Sequence, residues 1–173
     1  MTKKLCIILS LFVFLPAASM GERVTVNINA SVVERSCTLS TGSVNSTVEL
    51  QPGDLRASKL GVPFSGTRFS VSLENCPDNL SSAYIEFNGE SDPLMSNLLK
   101  NTSTDASSAR GIALGLYDGD SNNIDIRNNR RALKIEHGVL TNVFSFFAYY
   151  VRVNSTSSAG KVLSVANFEL SYD

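Results

Sequence analysis

From Val24 onward apolar and polar residues alternate: Val24, Val26, Ile28, Ala30 and Val32 fall on one face, and Thr25, Asn27, Asn29 and Ser31 on the other. A period of two is the signature of a strand, whose successive side chains point to opposite faces. The habit recurs along the chain in short apolar runs separated by clusters of Gly, Asn, Asp and Ser, and no helical stripe lasts more than a few turns. The pattern predicts strands at residues 32–39, 47–50, 67–73, 83–87, 112–117, 133–136, 143–153 and 161–172, hence an all-β sandwich or barrel. Turns are expected at Asn88-Gly89 and Asp118-Gly119. Residues 91–110, rich in Ser, Thr and Asn, read as a long loop with a short helical turn around 95–99.

The two ends carry the most information. The alternating segment precedes Cys37, and no hairpin turn links it to the next strand. A free strand with an apolar face is an aggregation hazard unless it has a destination. At the other end Phe168, Leu170 and Tyr172 alternate with Asn167, Glu169 and Ser171, so the last strand also has one apolar face. Between them, Phe146, Ala148 and Tyr150 read as core, whereas Phe147, Tyr149 and Val151 would form an apolar patch on the opposite face. Cover by a loop of the same chain is the expected fate of that patch.

Composition sets the compartment. Lys3 and Lys4 precede an apolar run from Leu5 to Leu15, which ends in Pro16 and the small residues Ala17, Ala18 and Ser19. That is the pattern of a secretory signal peptide, too short to span a membrane, with cleavage expected after Ser19 or, preferably, after Gly21. The expected organisation is a signal peptide at 1–21, an arm at 22–35 and one folded domain at 36–173, and no later segment reads as a membrane helix. Cys6 lies in the signal peptide, so export leaves Cys37 and Cys76, and an oxidising compartment makes a disulfide between them the first reading.

Charge and residue types exclude several functions. Removing Lys3 and Lys4 from the 15 basic residues leaves 13 against 16 acidic ones, a formal charge of −3 that argues against a nucleic-acid binder. The one basic cluster, residues 128–131, reads as a solvated loop. His137 is the only histidine, Asp118 and Asp120 sit in an expected turn, and no nucleophile-elbow or phosphate-cradling glycine motif occurs. No enzymatic activity, metal or cofactor is expected.

Taken in order, these features resemble the type 1 pilin family of the chaperone-usher pathway. The resemblance rests on the alternating arm, the cysteine in Ser36-Cys37-Thr38, its partner in Glu74-Asn75-Cys76-Pro77, Phe146, Ala148 and Tyr150 at every second position, Gly160 fourteen residues from the end, and the penultimate Tyr172. It implies an incomplete immunoglobulin-like sandwich completed in trans by a donor strand. Val24, Val26, Ile28, Ala30 and Val32 would form the donor arm, and Gly160, Phe168, Leu170 and Tyr172 the terminal strand held by a periplasmic chaperone. The implied partners are that chaperone, an outer-membrane usher and neighbouring subunits, with secretion through the periplasm and a place in a fimbrium on the bacterial surface. The arm is most similar to those of minor tip-fibrillum adaptors, although Ala30 stands where the family usually has glycine. A major rod pilin of the same pathway is the near alternative, and a complete secreted immunoglobulin-like binding domain the remote one.

Overall fold

The computed structural model describes residues 36–172. The predicted signal peptide and arm therefore lie outside the described residues. Among the described residues eight strands form two antiparallel sheets: β1 (Thr38–Leu39), β2 (Pro63–Glu74), β3 (Ser82–Gly89), β4 (Ile112–Tyr117), β5 (Asn123–Ile124), β6 (Arg131–Lys134), β7 (Thr141–Arg152) and β8 (Ala166–Tyr172). One sheet has the order β1-β2-β7-β4-β5 and the other β6-β3-β8. The fold is an incomplete immunoglobulin-like sandwich, in which β8 has, among the described residues, a strand on one side only.

The core lies between the sheets, where the period of two places every second side chain. Leu73, Ile85 and Ile124 are fully enclosed there. Phe146 packs against Phe69 and Phe87 at 5.6 and 5.1 Å between ring centroids, tilted and edge-on arrangements that aromatic rings favour. β4 is buried on both faces, as its unbroken apolar run requires. The reason is a second cluster on the outer side of the larger sheet, where Leu98 covers Ala113, Val151 and Val153 with Met95 packed against it. Val151 thus receives the loop cover expected of it, while Phe147 and Tyr149 stay half-buried, with Tyr149 against Tyr117 at 5.1 Å.

Three sequence expectations need correction. Residues 47–50 form no strand. After β1 the chain turns aside through a short 3₁₀ segment (Thr41–Ser43), and the Ser43 hydroxyl, rather than a neighbouring backbone, accepts the Ser72 amide at 2.9 Å. A cleft of about 370 Å³ then separates residues 46–49 from Thr67, Phe69 and Ser70 on β2. Asn88 and Gly89 are not a turn but the end of β3, paired with Asn167 and Ala166. Residues 95–98 make a single turn where a short helical turn was expected, closed by the Leu98 amide on the Met95 carbonyl. The last strand begins at Ala166 rather than at 161, because residues 158–163 are bonded to the long loop instead: the Thr102 amide donates to the Leu163 carbonyl, the Ala109 amide to the Lys161 carbonyl, and the Lys161 amide to the Ser107 carbonyl. The Asp118-Gly119 turn forms as expected, with Asp118 accepting the Asp120 and Asn122 amides.

Candidate strand-acceptor groove

Cys37 and Cys76 form a disulfide across 39 residues. It ties the start of β1 to the connection between β2 and β3, and so fixes the entry of the chain against one end of the sandwich. At that end the Tyr172 hydroxyl donates to the Cys37 carbonyl at 3.4 Å. Burial raises the Tyr172 pKa above the ordinary tyrosine range.

From there the open edge of the smaller sheet runs along β8. Among the described residues β8 pairs only with β3, in the register Ala83 to Tyr172, Ile85 to Leu170 and Phe87 to Phe168. These three β3 residues are 0 to 3% exposed. Phe168, Leu170 and Tyr172, on the same inward face, are only partly buried. The difference follows from position: β3 has a neighbour on each side, and β8 has one. Leu39, Leu50, Phe69, Phe144 and Val162 are likewise packed on the core but only partly covered. The core is thus open along a line, and beside that line the outer edge of β8 has no strand partner among the described residues.

At the far end of this line lies an apolar cleft of about 180 Å³, lined by Gly53, Phe64, Ile112, Tyr150, Gly160 and Val162 among others. Phe64 and Tyr150 stack at 5.7 Å to form one wall. Gly160 is not part of β8. A Cβ there would stand 2.3 Å from the Ser107 carbonyl oxygen and 2.5 Å from the Ala109 nitrogen, so glycine is what lets residues 157–163 lie against the long loop and shape the cleft. Phe64 and this cleft were not singled out from the sequence. The signal was slight, a lone aromatic before the Ser65-Gly66 irregularity in β2, where Ser65 has φ 48° and the register to β7 shifts.

The predicted site residues therefore divide. Phe168, Leu170 and Tyr172 come together on one open face, Gly160 braces its far end, and Cys37 and Cys76 secure its near end. Val24, Val26, Ile28, Ala30 and Val32 lie outside the described residues. His137 is exposed in the turn before β7, and among the described residues no group of His, Cys, Asp and Glu is placed to hold a metal. No described helix is long and apolar enough to cross a membrane.

An apolar groove beside a strand edge with no described partner has the geometry of strand addition, in which backbone hydrogen bonds supply affinity and alternate side chains supply register. A profile described as "Fimbrial protein" matches residues 25–173. A probable major fimbrial subunit, LpfA of Escherichia coli O157:H7, is 29% identical over 161 residues, covering 91% of this chain and 87% of that protein. The crystal structure of a Burkholderia pseudomallei antigen and type I fimbria protein superposes with a TM-score of 0.59 at 27% identity, covering 79% of this chain and 89% of the other. A chain from a chaperone-usher pilus structure gives 0.65 at 19% identity, covering 92% and 100%.

Proposed function

The chain belongs to the fimbrial protein family and is a structural subunit of a surface fimbria, and from that premise we propose that it polymerises by donor-strand exchange, receiving a strand along β8 and lending its own residues 22–35 to a neighbour. The observation that carries this reading is the half-open inward face of β8 beside an edge with no described partner. The proposed arm supplies what the groove lacks. Burial of Val24, Val26, Ile28 and Val32 at about 1.5 to 3 kcal/mol each would contribute on the order of 6 to 12 kcal/mol before ordering costs.

Until exchange the groove needs a temporary strand, and the family resemblance supplies one from a periplasmic chaperone, followed by transfer at an outer-membrane usher. Phe168, Leu170 and Tyr172 are the chaperone's strand partners in this reading, and Gly160 keeps the adjoining segment seated. We assign the subunit no enzymatic activity and no cofactor.

The sequence of the arm supports a minor or tip adaptor position. The similarity to a protein named as a probable major subunit favours a second reading, a rod subunit. Counting copies in isolated fimbriae by quantitative mass spectrometry separates them: a few copies per fimbria for the adaptor, great excess for the rod.

The exchange reading is tested by expressing the mature chain with and without a compatible donor strand fused after Asp173 through a short linker. The fused protein is expected to be a monomer with a sharp cooperative melt, and the unfused one unstable or self-associating. Equal stability of the two would mean that the sandwich needs no added strand.

A further inference from the structure

The chain enters the described domain at Ser36, and the strand register puts an exposed apolar tip beside that point. β1 and β7 are both antiparallel to β2, so they run in the same direction as each other. Thr38 and Thr141 pair with Glu74 from opposite sides, which sets them two strand spacings apart, about 10 Å. Ser36-Cys37 and Val139-Leu140, which lead into these two strands, therefore lie at the same end of the sheet.

Leu140 is 92% exposed and Val139 46%. Val143, 58% exposed at the start of β7, extends the apolar surface. The tip is held in place. Asn142, itself buried, accepts the Glu136 amide at 2.8 Å, donates to the Glu136 carbonyl at 3.3 Å, and lies 3.8 Å from the Cys76 sulfur. The turn thus leans on the same disulfide that anchors the chain's entry.

A single exposed leucine is ordinary on a protein surface. The placement of this one is not neutral. If residues 22–35 lie in a neighbour's groove, that neighbour's body begins within a few residues of Ser36, and each residue spans at most about 3.5 Å. The neighbour that holds the arm is thereby brought close to Leu140.

We propose that Val139 and Leu140 form a second, apolar contact with the subunit that accepts this chain's arm, at the mouth of that subunit's groove, and so limit the swing of one body about the other. The proposal rests on the donor-arm reading of residues 22–35. The test uses fimbriae assembled in cells from chains carrying a photo-reactive benzoylphenylalanine in place of Leu140 or, as a control, of exposed Ser155 beyond the far end of β7. Cross-links are mapped by mass spectrometry, and a chain lacking 22–35 is assayed for incorporation in parallel. Expected are loss of incorporation without the arm, and several-fold more cross-linking from position 140 than from 155, to one other subunit. Loss of incorporation with equal cross-linking from the two positions overturns this inference alone. Undiminished incorporation without the arm overturns the donor-arm reading and this inference with it.

Discussion

The hydroxyl of Tyr172 and the carbonyl oxygen of Cys37 lie 3.4 Å apart, joining the last strand to the first cysteine at the disulfide end of the groove. The contact brings together residues separated by 135 positions in the chain. The ring itself continues the inward face of Phe168 and Leu170. If that face is the functional feature, Tyr172→Phe keeps it and loses only the hydrogen bond, and should cost about 1 kcal/mol or less in the strand-complemented protein. Tyr172→Ser removes the apolar surface and should cost about 2 to 3 kcal/mol. Denaturant melts of the two variants decide it, and equal losses would mean that the ring surface is not what stabilises this end.

Alkaline pH should weaken the fold through its buried phenols. Burial raises the pKa of Tyr172, of Tyr150 and of Tyr117, the last against an opposing hydrogen bond from Asn123. The folded state holds these protons more tightly, so their contribution is fully present below the unfolded value of about 10 and is lost as pH rises from there through the raised folded values. Denaturant melts between about pH 8 and pH 11 should show this loss, reduced in Tyr172→Phe. Native tyrosine absorbance that titrates entirely at the free value would contradict it.

The disulfide closes a loop with a sequence separation of 39, for which the chain-entropy account gives about 4 kcal/mol. Cys37→Ser combined with Cys76→Ser should lower stability by about 2 to 5 kcal/mol. Non-reducing alkylation of the exported protein should find no free thiol, and two readily alkylated cysteines would refute the pairing in the native molecule.

Gly160→Ala forces a methyl group into the backbone of residues 107–109, with approaches of 2.3 to 2.6 Å. The expected cost is about 1 to 3 kcal/mol, with faster amide exchange at Thr102 and Ala109, whose hydrogen bonds close that seam. Gly42→Ala meets nothing within 4 Å and serves as the matched control. Equal melts for the two variants would show that the seam yields without strain.

Register of the proposed arm should depend on Ala30. A slip by two residues keeps the polarity but carries a larger side chain into the position meant for the small one, an overpacking of about 1 to 3 kcal/mol. In a peptide of residues 22–35 offered to an acceptor subunit in its chaperone complex, Ala30→Leu should slow chaperone release, while Ala30→Gly and Asn29→Leu should not. Release slowed only by Asn29→Leu would reverse the face assignment.

Several features could be read from local sequence because their causes are local. The run at residues 112–117 is the strand Ile112–Tyr117, because an apolar run bounded by turn residues has few other ways to leave water. Two cysteines behind an export signal imply their pairing, and the alternation at Phe168, Leu170 and Tyr172 marks a one-faced strand. Other features depend on contacts between distant residues. Residues 47–50 have a strand's composition but no strand partner, since the Ser43 hydroxyl occupies the Ser72 amide on the edge they would have to reach. Gly89 suggested a turn, yet a Cβ there would stand 2.4 Å from Leu99 and 2.6 Å from the Val165 carbonyl oxygen, so glycine serves a close packing contact inside a strand. The groove itself belongs to this second kind. Alternation shows that β8 has an apolar face, but whether that face is closed depends on which strands flank it, and hydrogen-bonded pairing between remote segments is decided only when the whole chain has folded.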